Sequence, residues 1–280
     1  MEPPKFNKVF KKILVALDAS PNALAALELA AEWACRMGAE LEGVFVEEQD
    51  WFVYGKHPFM KEVMDFTGTI STFTEEHVER EIQLLTHRIH TVFEQKCRIM
   101  ETPFRFKTYR GLVTDKIKEA AKDADLIIIG RVGYSALWKK SIGRTTQEII
   151  RAVDKPVLIY QKGISTGSYI LVLIEDSEIG RQVLNTALIL ARYLNKKLQF
   201  FVYPDAEDAH AIADRVKKGA SQAGIVCQIK ILRNSKDQDI TSYLDHFGRE
   251  MILFSRHYSI FQQKSLSEWI NQMKRPLLIL

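Results

Sequence analysis

Thiols are scarce in this sequence, and their placement already excludes two classes of protein. Cys35, Cys97 and Cys227 are the only three cysteines in 280 residues, far apart and with no Cys-x2-Cys pair. An odd, sparse set of this kind is neither a disulfide framework nor a zinc knuckle, and it suits a reducing compartment. Long apolar runs are missing as well. No stretch approaches the roughly 18 to 20 residues of a membrane span, and the opening MEPPKFNKVFKK has no apolar core for a signal peptide. The expectation is a soluble, cytoplasmic chain with no membrane contact. Nor is there a surplus of one charge: a net +4 with dispersed lysines and arginines leaves no footprint for nucleic acid or anionic lipid. Enzyme signatures such as G-x-S-x-G, G-x4-G-K-[ST] or a zinc-type pair beside a Glu are also absent, so the chain is not expected to be an enzyme.

What the chain does have is a 46% apolar content, set out as short strand-like runs alternating with helical periodicity. Its length exceeds the usual single domain, so two domains are expected. The most informative stretch is Asp125 to Tyr160. The run Leu126-Ile127-Ile128-Ile129 is short and β-branched, as in a strand buried on both faces, and it breaks at Gly130. A loop with Gly130, Gly133 and Gly143 follows. Then come Thr145 to Val153, with Ile149, Ile150 and Val153 at helical spacing, and a second strand, Pro156 to Ile159. In a strand, glycine loop, helix unit, bare backbone amides and the positive end of the helix together cradle an anion, usually a phosphate.

The first 48 residues read the same way. Ile13 to Leu17 is a buried strand, and Asp18-Ala19-Ser20-Pro21 signals a helix start. Small and apolar residues then recur at helical steps to Met37, where Gly38 stops the helix, and Leu41 to Val46 is the next strand. Strand, helix, strand makes a right-handed crossover of a parallel sheet, with ligands at the strands' carboxyl ends, where Asp18, Val46 and Gly130 lie. Asp18 has two open roles, helix cap and ligand contact.

The spacing Gly-x2-Gly-x9-Gly resembles that of the universal stress proteins, whose nucleotide-binding members carry it followed by Ser or Thr. The resemblance implies a doubly wound α/β fold of the adenine nucleotide alpha hydrolase-like kind, binding ATP, ADP or AMP, with magnesium as an optional companion. It also implies where the ligand sits. The first strand's end, Ala16-Leu17-Asp18, contacts the nucleoside, and Val46 offers backbone groups to the adenine. The loop from Ile129, Gly130 and Arg131 through Gly133 to Gly143, Arg144 and Thr145 holds the phosphates. Arg144 departs from the pattern, since it replaces the small hydroxyl. It either pairs a phosphate oxygen or fills the loop and excludes one. Thr145 and Thr146 are candidates for a displaced hydroxyl.

Between Val46 and Gly111 lies an aromatic, irregular segment, read either as a flap over the ligand or an interface, or as an insertion packed on its own domain. A long amphipathic helix from Thr74 to Cys97 follows, with Val78, Ile82, Leu85, Ile89 and Phe93 as its buried stripe. His87 and His90 stand three apart on it; with no third ligand nearby, a solvated face is the expectation, not a metal site. Phe104 to Tyr109 reads as a strand and Thr114 to Lys122 as a helix, with Gly111 where the family has a Gly.

The second half repeats the first. Tyr169 to Ser177 parallels Lys12 to Ser20, Leu198 to Tyr203 parallels Leu41 to Val46, and Arg275 to Leu280 parallels Lys155 to Tyr160, with QKGISTGS as linker. The expected domains are 1–162, with the loop and the insertion, and 168–280, a degenerate copy. From Gly130 to Pro156 is 26 positions, but from Ser255 to Pro276 only 21, with no glycine between. Val46 and Gly111 are separated by 64 residues, the matching Val202 and Asn234 by 31. Glu175 replaces Asp18. Arg256 and His257 are open between anion contact and solvated loop. The resemblance implies pairing of the two domains through Val157-Leu158-Ile159 and Leu277-Leu278-Ile279, and is compatible with a further homodimer. Three functional readings follow: a nucleotide-binding regulator of the stress response, a nucleotide-free dimeric scaffold, and a slow ATPase.

Overall fold

A computed structural model describes residues 10–48, 61–63, 70–72, 75–133, 142–164, 166–202, 209–232, 244, 247–248, 250–259, 261 and 265–280. Strand β1, Lys12–Leu17, has Ile13, Leu14 and Val15 wholly buried, because helices cover both faces of the sheet. Helix α1, Pro21–Met37, begins at Ser20, whose Oγ accepts the Ala23 N–H at 3.1 Å. The cap is therefore Ser20 and not Asp18; the Asp18 carboxylate lies one turn back and accepts the Ser20 N–H at 3.0 Å. Gly38, at φ 59, ends the helix in a left-handed turn, and Ala39 N–H then bonds Ala34 O at 2.8 Å.

Strand β2, Glu40–Glu48, runs parallel to β1, and β3 (Lys61–Val63) with β4 (Ile70–Thr72) forms a small antiparallel ribbon. The rest of the aromatic insertion lies outside the described residues. Helix α2, Glu75–Ile99, can lie close on β2 because position 43 is glycine: a Cβ there would stand 2.6 Å from the Phe93 ring. The half closes with β5 (Phe104–Gly111), α3 (Val113–Ala120) and a short 3-10 turn. Strand β6 (Leu126–Gly130), α4 (Arg144–Ala152) and β7 (Val157–Tyr160) complete it. Glu42, buried within β2, is held by Lys12 Nζ at 2.8 Å and Lys107 Nζ at 3.2 Å, one lysine from each neighbouring strand.

The second half repeats the plan with β8 (Tyr169–Ile174), α5 (Glu178–Leu194), β9 (Lys197–Val202), α6 (Ala209–Ala223), β10 (Cys227–Ile231), β11 (Met251–Phe254), α7 (Leu266–Gln272) and β12 (Leu277–Ile279). Asn234 falls outside the described residues. Corresponding carboxylates do corresponding work: Asp125 accepts the Lys11 and Lys12 N–H groups, and Glu250 those of Ser168 and Tyr169.

The strands form one sheet in the order β10-β9-β8-β11-β12-β7-β6-β1-β2-β5, parallel within each half. At its centre β12 meets β7 antiparallel, pairing Leu277 with Ile159, Leu278 with Leu158 and Ile279 with Val157. All six are at most 1% exposed. The halves are thus related by an approximate twofold axis through this seam. Each is doubly wound, with the reversal of strand order at β1 beside β6, so the carboxyl ends of those two strands frame a crevice. No helix among the described residues is long and apolar enough to cross a membrane.

Candidate functional site

That crevice brings together Asp18, Gly130, Gly133 and Gly143. Gly133 faces the Asp18 carboxylate so closely that a Cβ would stand 2.5 Å from Oδ2. Gly130 runs against the first turn of α1, where a Cβ would meet backbone atoms of Asn22 and Ala23 at 3.0 Å. Gly143 lies over the other foot of the loop, its Cβ direction 3.5 Å from Arg131 O and 3.6 Å from Gly133 N. None of the three has a positive φ. Close approach requires glycine at 130 and 133, where a Cβ would crowd α1 backbone or the Asp18 carboxylate, whereas at 143 a Cβ would make only ordinary contacts.

The loop's feet are fastened through three consecutive carbonyls. Gly130 O accepts from Thr146 Oγ1 at 3.0 Å, Arg131 O from Gly143 N at 2.9 Å, and Val132 O from Asn22 Nδ2 at 2.9 Å. Asn22 also accepts the Lys162 N–H, tying the loop to the exit of β7. Residues 134–141, Trp138 included, lie outside the described residues. At the far foot Gly143 caps α4 without a side-chain bond, and the first intrahelical bond runs from Gln147 N to Gly143 O. The Arg144, Thr145 and Thr146 amides therefore precede the helix ladder, at its positive end.

Backbone alternation aims a further polar group. Glu40 N–H bonds Lys11 O while Leu41 N–H bonds Pro103 O, so alternate residues of β2 face β1 and β5. Val46 faces β1, one row past the last pair, Leu17 with Phe45. Its carbonyl falls beyond the β1 ladder, on the Asp18 side. Ala16, Leu17 and Ile129 are buried strand ends that support the floor. Ala19, immediately after Asp18, sits in the left-handed region at φ 59. For a non-glycine residue this is strained, by roughly 1 kcal/mol or more. A cavity of about 270 Å³ opens between α2, the end of β2 and the middle of β5, lined by Glu47, Thr86, His87, His90, Phe106 and Thr108 among others.

The structure places four of the candidate side chains as follows. Arg131 does not turn to the crevice: its side chain is 3% exposed and crosses to the second half, donating from Nη2 to Ile270 O at 2.8 Å and Asn271 O at 3.2 Å. Burial holds its guanidinium below the ordinary arginine value. Thr146 is not a displaced phosphate hydroxyl, because its Oγ1 is committed to Gly130 O. Arg256 is neither an anion contact nor a solvated loop residue; it donates to Ile150 O, Val153 O and Lys155 O at the end of α4. Among the described residues Arg144 points away from Gly130, Gly133 and Asp18, toward its own helix. Its side chain is 92% exposed and pairs with Glu148 at 2.7 Å, which raises its pKa and lowers that of Glu148. Thr145 stands beside it on the first turn of α4. Sequence reasoning missed Asn22 and Asn271 (below), whose roles depend on what the fold sets beside them.

The matching place in the second half is closed. Tyr258 occupies the position of Gly133, 3% exposed, with its hydroxyl buried and unpartnered and its pKa pushed up by burial and by Glu175. Glu175, at the position of Asp18, has Oε2 bonded by Ser259 N at 3.1 Å and Ser259 Oγ at 2.8 Å.

Fold and crevice define a tandem doubly wound α/β protein with a glycine loop at the crevice of one of its halves. The chain belongs to the universal stress protein family, whose model matches residues 10–161. It is 22% identical over 265 residues to universal stress protein Slr1230 of Synechocystis sp., covering 88% of this chain and 90% of that protein. It is 30% identical over 153 residues to universal stress protein A homolog 1 of Coxiella burnetii, covering 53% of this chain and 94% of that protein. In fold it is similar to a universal stress protein from Archaeoglobus fulgidus, with a TM-score of 0.71 at 17% identity, covering 97% of this chain and 96% of that one.

Proposed function

We propose that the first half binds an adenine nucleotide, ATP, ADP or AMP, and that the protein acts as a nucleotide-responsive regulator of the stress response and not as an enzyme. Val46 offers a carbonyl to the adenine, and Asp18 accepts from the ribose hydroxyls. The amides around Gly133 and at the start of α4 receive the phosphates. Thr145 supplies the hydroxyl that Arg144 does not, while Arg144, free of the loop, is within a side-chain swing of an incoming phosphate. The observation that carries this reading is the packing of Gly133 against the Asp18 carboxylate at the mouth of the crevice, which brings the loop backbone and the carboxylate to one place only while position 133 lacks a side chain. Among the described residues no three His, Cys, Asp or Glu side chains are grouped to hold a metal; magnesium would arrive with the phosphates. Tyr258 and the Glu175–Ser259 bonds support a single site per chain.

The test is calorimetric titration of ATP, ADP and AMP into wild type and Gly133→Val, with phosphate release followed in parallel. One site in wild type, lost in the variant, and no turnover is the expected result. Indistinguishable titrations would remove the loop from the site; no binding to wild type would leave the nucleotide-free scaffold; sustained phosphate release would restore the ATPase reading.

A further inference from the structure

We infer that Asn271, in the second half, is a positioning residue for the ligand loop of the first half. This rests on reading that loop as the nucleotide cradle. Asn271 bonds both feet of the loop. Its side-chain Oδ1 accepts the Ile142 N–H at 2.8 Å, immediately before Gly143, and its backbone carbonyl accepts from Arg131 Nη2 at 3.2 Å, immediately after Gly130. The two feet are themselves joined by the Gly143 N–H to Arg131 O bond. One residue from across the seam therefore bonds to both ends of the loop, to the backbone at one and to the arginine side chain at the other. Ile142 is 3% exposed, so its amide has little access to water as a substitute acceptor.

The contact runs one way. Counting back from Pro156 and Pro276, the residue of the first half that matches Asn271 is Arg151, which donates to Ser267 Oγ at 2.9 Å. A guanidinium has no acceptor, so Arg151 cannot hold an amide of the second half's loop as Asn271 holds Ile142. The arginine-to-helix contacts are common to both halves, but the side-chain acceptor serves only the loop that has glycines. The second half, closed at its own crevice, thus works as the brace of the other, and a ligand that reshapes the loop would be felt at α7.

The experiment compares full-length wild type with Asn271→Leu and Asn271→Ala, which remove the acceptor, and Asn271→Asp, which keeps an oxygen in place. Hydrogen exchange of the Ile142 amide is measured without nucleotide, and ATP affinity by calorimetry. Loss of the acceptor should speed Ile142 exchange at least about tenfold and weaken ATP at least about tenfold, as expected for a loosened loop, with Asn271→Asp near wild type in both. Unchanged exchange in both acceptor-free variants overturns the brace. Faster exchange with equal ATP affinity in all four proteins overturns the positioning role. If wild type binds no ATP the nucleotide reading itself falls, and exchange alone still decides whether Asn271 fastens the loop.

Discussion

Arg131 and Arg256 stand at the same point of the two halves, just past β6 and β11, and each reaches across the seam to the last helix of the other half. The backbone equivalence is direct: Arg131 N–H bonds Tyr160 O, and Arg256 N–H bonds Leu280 O. So is the exchange of targets, since Nη2 of Arg131 meets Ile270 O at 2.8 Å and Nη1 of Arg256 meets the matching Ile150 O at 2.7 Å. A positive group at a helix's carbonyl end satisfies orphan acceptors and complements the dipole.

Replacing either arginine by leucine should therefore destabilise the whole chain, by about 2 to 3 kcal/mol for a charged hydrogen-bonded group. The loss should be larger at Arg256, with three carbonyl partners, than at Arg131, with two and an Nη1 that has none. Lysine should not rescue, because an ammonium lacks the planar fork. Denaturant unfolding checks this; shifts below about 0.5 kcal/mol, the range of ordinary surface changes, would remove the arginines from the seam's energetics.

The first two loop glycines should separate binding from stability. Gly130→Ala drives a Cβ into backbone of α1 at 3.0 Å, so the helix must shift, an overpacking cost of about 1 to 3 kcal/mol. Gly133→Ala meets only the end of the Asp18 side chain, Oδ2 at 2.5 Å. It should change stability by less than about 1 kcal/mol yet weaken ATP at least about tenfold, about 1.4 kcal/mol of binding. Thermal unfolding beside calorimetry reads the two effects apart, and equal stability losses would contradict the assignment.

Tyr258→Phe should be neutral or stabilising, by up to about 1 kcal/mol, because it deletes a buried hydroxyl that has no partner. A destabilisation of more than about 1 kcal/mol in urea would show that the hydroxyl is bonded.

The three thiols should differ in reactivity. Cys35 is exposed, whereas burial pushes Cys97 up to about 12 and also raises Cys227. In the native protein at neutral pH a thiol reagent should modify Cys35 first and Cys97 only on unfolding. The pH dependence has a definite sign. The folded chain holds the Cys97 proton longer than the unfolded one, whose thiol titrates near about 8.5, so this contribution is complete below that value and is withdrawn as pH rises towards about 12. Cys97→Ala should fall less steeply in stability over that window; parallel curves would refute the assignment.

The elements that were legible in the sequence are those dictated locally. Leu126 to Ile129 could only be a strand covered on both sides, and Ser20-Pro21 and Gly38 bracket a helix by capping chemistry that a few residues settle. Asp18 is ambiguous in the sequence because it and Ser20, two positions on, both carry a capping oxygen, and Ser20 does the capping. Arg131, Asn22 and Asn271 could not be read because their partners are 110 to 140 positions away in the chain. Glu42 is a similar case: inside LEGVFV nothing announces that lysines from two neighbouring strands will meet a buried carboxylate. The second half's missing glycines pointed to a lost loop, but only the coordinates show what stands there, a tyrosine ring and a carboxylate already bonded to Ser259.

Because residues 161–168 tie the two halves into a single polypeptide, a substitution on one side of the seam has no twin on the other. Two identical subunits meeting the same way would place every change twice, and Asn271 could never face a glycine loop while Arg151 faces a closed one. Fusion removes that obligation, so one lobe can keep a glycine loop at its crevice while its sister fills the matching place with a tyrosine.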